Sequence, residues 1–95
     1  MKIRYTETAL EEIEDILSNI AKDNSSAALR ASVSILATIN RVAEFPRTAV
    51  ETDAPDVRMA PVRPYRYLVF FILADNAIII RNVRHSARQQ WPHVA

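Results

Sequence analysis

Arginine is the side chain with the widest chemical reach in this sequence. Arg58, Arg63, Arg66, Arg81, Arg84 and Arg88 fall within residues 57–95 against a single acid, Asp75, a balance of +5. Residues 1–56 carry six basic and ten acidic groups, a balance of −4, and the two stretches sum to the net charge of +1. A guanidinium fork binds phosphate or carboxylate bidentately, so a stretch cationic through arginine alone points to an anionic partner. Scattered solubilising charge is the alternative, but lysine ordinarily serves that purpose and none follows Lys22. His85 and His93 add groups that exchange protons near neutral pH. Two histidines without cysteine or paired acids do not make a metal ligand set. The chain has no cysteine, which excludes disulfides and fits a reducing cytoplasm. It also has no glycine, which excludes a phosphate-cradling loop. No cofactor is expected.

The elements that must position these groups can be read from periodicity. Ninety-five residues, 49% hydrophobic, are enough for one domain with a real core, spanning residues 1–95. Ile3 and Tyr5 alternate with Lys2 and Arg4, a short strand. Thr6 or Thr8 then offers an N-cap, Thr8 with Glu11 fitting a capping box, and Ala9, Leu10, Ile13, Ile16, Leu17 and Ile20 form a helical stripe over about residues 7–21. Asn24 is the expected cap of a second helix that buries Ala28, Leu29, Val33, Leu36, Ile39, Val42 and Ala43 and stops at Pro46. Residues 47–56 have no period and read as a loop. Residues 57–62, 65–73 and 77–83 read as strands, with Pro61 at an edge or end and Asp75-Asn76 as a hairpin turn. The order β-α-α-β-β-β gives an α+β domain of two layers, a helical hairpin packed on an antiparallel sheet. The longest apolar stretch, residues 68–74, falls far short of the ~20 residues of a membrane helix. The N-terminus lacks the apolar run of a signal peptide, so a soluble cytoplasmic protein with no membrane partner is expected.

Strand alternation sorts the cations. Arg58 shares a face with Ala60 and Val62, Arg66 alternates with Tyr65 and Tyr67, Arg81 goes with Ile79, Val83 and His85, and Arg84 goes with Ile80 and Asn82. Burying an unpaired arginine costs several kcal/mol, about 3–5, so each faces solvent, pairs with an acid or is kept for a partner. His85 either orders the strand end through a backbone carbonyl or touches a target. Trp91 either docks on the core or anchors an interface.

Six fragments in order resemble the ParE/RelE toxin superfamily, the ParE branch above all, over nearly the whole chain. They are Tyr5-Thr6-Glu7-Thr8-Ala9-Leu10 on to Ile16; Ala21-Lys22-Asp23-Asn24 with Ala27-Ala28; Val42-Ala43-Glu44-Phe45-Pro46-Arg47; Val57-Arg58-Met59-Ala60-Pro61-Val62; Tyr65-Arg66-Tyr67-Leu68-Val69-Phe70-Phe71; and Val83-Arg84-His85-Ser86-Ala87-Arg88. Ser86 and Gln89-Gln90 depart from the family, whose members often carry glycine and an acidic residue there.

The resemblance implies the toxin of a type II toxin–antitoxin pair, serving plasmid stabilization or growth arrest. Its partner would be a ParD-like antitoxin, acidic, DNA-binding at its N-terminal part and disordered in its tail. The toxin would then reach DNA only indirectly, through the antitoxin. ParE-type members inhibit DNA gyrase; RelE-type members cleave mRNA in the ribosome with lysine, arginine and a C-terminal tyrosine, or with glutamate, arginine, histidine and tyrosine. This chain has no lysine after Lys22 and no tyrosine after Tyr67. Its acid–base candidates are His85 and His93, with Glu51 and Asp53 in the loop. The expectation is therefore a non-enzymatic gyrase inhibitor whose target or antitoxin contacts come from Arg58, Arg66, Arg81, Arg84, His85, Arg88 and Trp91. An RNase, an inert toxin-fold co-repressor and a nucleic-acid-binding sheet are the competing readings.

Overall fold

The computed structural model describes residues 1–86. Its elements are β1 (Lys2–Tyr5), α1 (Glu7–Asp23), α2 (Ser25–Glu44), a 3-10 turn (Pro46–Thr48), β2 (Val50–Glu51), β3 (Val57–Val62), β4 (Tyr67–Leu73) and β5 (Ala77–His85). The strands form one sheet in the order β1-β5-β4-β3-β2. The helical hairpin covers one face, α1 packing chiefly on β5 and α2 on β3. This is the two-layer α+β arrangement expected, with two differences. The sheet is mixed, because β1 runs parallel to β5 while the other neighbours are antiparallel. Parallel neighbours need a long crossover, and here most of the chain, both helices included, lies between them. The supposed loop also holds the 3-10 turn and β2, whose two residues pair with Met59 and Arg58. Two residues are too few to show alternation.

Thr6, not Thr8, caps α1. Its N–H still donates to the Ile80 carbonyl at 3.0 Å, so the chain leaves the sheet there, and its hydroxyl accepts the Ala9 N–H at 3.0 Å. Asn24 both ends α1 and caps α2, its Oδ1 accepting the Ala27 N–H at 2.9 Å. It ends α1 through its backbone N–H, which donates to the Ile20 carbonyl at 3.0 Å, so exchanging the side chain would loosen the start of α2 alone.

The core joins Ala9, Ile35, Ile39, Val42, Ala43, Ala60, Val62, Val69, Phe71, Ile78, Ile80 and Val83, with Ile13, Ile16 and Leu17 half-buried against it. Helix α2 contributes through Ala28, Ala31, Ile35, Thr38, Ile39, Val42 and Ala43. Thr38 is tolerated in this line because its hydroxyl donates to the Ser34 carbonyl at 2.9 Å. Three residues assigned to the core by periodicity are instead turned to solvent: Leu29, Val33 and Leu36 are 67%, 60% and 53% exposed. The reason is that α2 carries two apolar lines. The one through Ala31 and Ile35 has the small residues that let the helix approach the sheet closely, and it wins. Leu10 of α1 is likewise exposed.

Candidate functional site

Strand β5 has nine residues and its neighbour β1 four. Residues 77–80 pair with β1 on one side and β4 on the other. Past Ile80 the β1 side is open, and a bare strand edge exposes unpaired N–H and C=O groups. The first turns of α1 take over this edge. Thr6 Oγ1 donates to the Arg81 carbonyl at 2.9 Å. Glu12 Oε1 accepts the Asn82 side-chain amide at 3.2 Å and the Val83 N–H at 3.0 Å, and Glu12 Oε2 accepts Arg84 Nε at 2.7 Å. Residues 81–84 are thus each bonded to α1. The pair is only partly exposed, the side chains at 33% for Arg84 and 21% for Glu12. Such charge-assisted bonds are about twice as strong as neutral ones.

A bulge in β5 corrects the expected sorting of its arginines. Phe71 faces Ile80 and Phe70 faces Asn82, so Arg81 is the extra residue without a cross-strand partner of its own. An extra residue shifts the alternation by one. Ile78, Ile80 and Val83 therefore all enter the core, and Arg81 is exposed. Asn82 and Arg84, opposite Phe70 and Leu68, lie on the face away from the helices; His85, opposite Tyr67, lies on the helical side. Arg84 reaches round the strand edge to Glu12. No sequence period marks a bulge, which is why alternation rightly set Arg84 with Asn82 but wrongly joined Arg84 to Ile80 and Arg81 to Val83 and His85.

The site residues expected from sequence divide into groups. Arg66, Arg84 and His85 come together at one end of the sheet, Arg66 in the turn before β4 and not in a strand as alternation had it. The Arg66 carbonyl accepts the Ser86 N–H at 2.7 Å, and the His85 ring meets Tyr67 edge-on with centroids 5.4 Å apart. Between this end and the helices is an open cleft of about 660 Å³, floored by Ile16, Ile20, Tyr67 and Val83 and rimmed by Asp15, Asp23 and His85. Arg81 and Arg84 also edge a smaller hollow of about 180 Å³ on the open face, beside buried Phe70. Arg58 stands apart. It shares the helical face with Ala60 and Val62 as expected, but it pairs with Phe71 in β4 where Arg84 pairs with Leu68. That separation is about 10 Å along the strand. Its Nη1 donates to the Ala49 carbonyl at 3.1 Å, which gives it a structural task. Arg88, Trp91 and His93 lie outside the described residues. Glu51 sits beside Arg58 in β2, far from His85.

Sequence reasoning missed Glu12. The mismatch in length between β1 and β5 was the available signal, since the longer strand needs something else at its edge. Reasoning also missed that the open face gathers cations from both ends of the chain. Lys2 and Arg4 pair with Ala77 and Ile79 and so share the face of Ile79 and Ile72, adding to Arg81. The exposed side of α1 carries Glu7, Glu11, Glu14 and Asp15. Charge is therefore segregated by layer: acidic over α1, basic on the open sheet. Among the described residues the Glu12–Arg84 contact is the one salt bridge, so Arg84 is held by an internal carboxylate while Arg4 and Arg81 are exposed.

Comparison with known proteins agrees with this architecture. The family model for the ParE toxin of the type II toxin–antitoxin system parDE matches residues 3–90. The candidate toxin Y4kP of Sinorhizobium fredii is 29% identical over 93 residues, covering 98% of this chain and 95% of that protein. A solved chain of the chromosomal ParDE toxin–antitoxin system from P. aeruginosa superposes with a TM-score of 0.77 at 16% identity, over 90% of this chain and 95% of that one. The isolated RelE toxin of E. coli superposes with a TM-score of 0.60 at 18% identity, over 94% of this chain and 87% of that one. The two structural likenesses concern the fold.

Proposed function

The chain belongs to the ParE toxin family of type II toxin–antitoxin systems, and from that premise we propose that it arrests growth by binding DNA gyrase, without catalysing a reaction, and that a ParD-like antitoxin restrains it in the cytoplasm. The observation carrying the antitoxin half is the second apolar line of α2. Leu29, Val33 and Leu36, at the i, i+4, i+7 spacing of one helix face, are all more than half exposed. Arg30 and Arg41 are exposed on the same helix and Arg47 just beyond it. An apolar line edged by cations suits an acidic amphipathic helix, the helix-in-groove mode of recognition. This moves the expected antitoxin contact from the arginine-rich strands toward α2.

Support for a binding mode of action comes from how the described residues at the end of β5 are engaged. Metal-free RNA cleavage needs a base, an acid and cations converging on one phosphate. Glu12 is already accepting three hydrogen bonds, and Arg58 is held about 10 Å away along the sheet. Cationic groups fixed in place suit recognition of an acidic protein surface.

Inducing the chain in growing cells, with and without an antitoxin, tests this reading. The expected result is arrest with accumulated gyrase–DNA cleavage complexes, relieved by the antitoxin. Messages cut on ribosomes, with gyrase unaffected, would replace it with the RNase reading. Growth without arrest would leave the inert co-repressor.

A further inference from the structure

We infer that Glu12 is the positioning residue of the toxin's target-binding end: its carboxylate fixes the last third of β5, and with it the direction in which Arg84 and His85 are presented. This rests on the reading of that end as target-facing. The argument is geometric. Among the described residues, β5 beyond the bulge at Arg81 has a strand on one side only, β4. On the other, one carboxylate stands where a strand would be, holding a side-chain amide, a backbone N–H and a guanidinium from three successive residues. Glu12 is itself fixed, because Thr6 anchors the start of α1 to the Arg81 carbonyl and to the Ala9 N–H. An arginine has several rotatable bonds, and ordering them before an encounter lowers the entropy lost on binding. A carboxylate held to Nε orients the side chain at its inner nitrogen. Glu12 thus acts through Arg84 and need not touch the target.

Glu12→Gln separates the two tasks of the carboxylate. Its amide oxygen still accepts the Val83 N–H, but its NH2 group faces Arg84 Nε and the ion pair is lost. The experiment compares wild type, Glu12→Gln, Arg84→Ala and the double variant for growth arrest on induction, with purified protein followed by thermal unfolding and by hydrogen exchange at the Val83 amide. The expected result is that Glu12→Gln and Arg84→Ala each weaken arrest about tenfold, a 1.4 kcal/mol effect by the usual conversion. The double variant should be no weaker than Arg84→Ala, and Val83 should stay protected in Glu12→Gln. A purely structural role would make the two losses multiply, which overturns the inference, as does wild-type toxicity of either single variant. Should Glu12→Gln not fold, Glu12→Asp, a methylene too short to reach both partners, reads the same link by the same criteria. A wild type that does not arrest growth sinks the toxin reading and this inference with it; a toxic wild type with an indifferent Glu12 variant sinks this inference alone.

Discussion

From Ile78 to Ile80, β5 is flanked by a strand on each side and sends Ile78 and Ile80 into the core; from Asn82 to Arg84 it is flanked by β4 and by the Glu12 side chain of α1. The first stretch is held by burial, which is strong and non-directional. The second is held by a few directed polar bonds at the rim. The difference shows how one strand serves two ends. Burial anchors the sheet, while polar bonds fix the angle of groups that must stay near solvent. The bulge at Arg81 is the joint between the regimes, turning the alternation so that Val83 still reaches the core while Arg84 does not.

Four substitutions test this contrast, in decreasing order of effect. Ile80→Ala, in the doubly flanked stretch, should cost about 2–5 kcal/mol of stability, read from the midpoint of urea unfolding. Glu12→Ala should cost less, about 1–3 kcal/mol, because it strands the Val83 N–H and an arginine at the rim. Hydrogen exchange should quicken at Val83 and stay slow at Ile78. A loss in Glu12→Ala as large as in Ile80→Ala, with exchange quickened along the whole strand, would erase the distinction. Thr6→Ala, which removes the helix cap and the bond to the Arg81 carbonyl, should cost about 1 kcal/mol and sharpen the contrast by loosening residues 81–84 from the other anchor. Arg81→Ala should stay within about 0.5 kcal/mol of wild type in stability, since the side chain is exposed at the bulge; its effect belongs to growth arrest instead. A triple exchange of Leu29, Val33 and Leu36 to serine is the matching control on α2. The free protein should fold, and antitoxin binding by calorimetry should weaken by at least tenfold.

Much of this molecule was legible from residue pattern. Ile3 and Tyr5 gave the opening strand, Asn24 the cap of α2, residues 57–62 a strand with the observed bounds, and Asp75-Asn76 a turn, closed by the Ala74 N–H on the Ala77 carbonyl at 2.8 Å. Each is set by neighbours in sequence. What escaped depends on contacts between distant parts. The choice between the two apolar lines of α2 is made by the sheet, which selects Ala31 and Ile35 over Leu29 and Val33. The parity change at Arg81 is made by pairing with Phe70 and Phe71. The role of Glu12 arises because β1 stops at Tyr5, seventy-odd residues before the edge it leaves open. At the site, Arg66, Arg84 and His85 could be grouped from their positions near strand ends. Arg58 could not be separated from them without the register.

The parallel pairing of β1 with β5 has a bearing on synthesis. Lys2 meets Ala77, and Tyr5 meets Ile80. Contacts between such distant positions form late and carry a large loop-closure cost. A chain still growing on the ribosome has its first strand without a neighbour and its first helix without the edge that Thr6 and Glu12 bind. The sheet closes only after β5 has emerged, so a copy terminated before β5 lacks the assembled surface. For a chain of this family, the order of translation sets when its surface is complete.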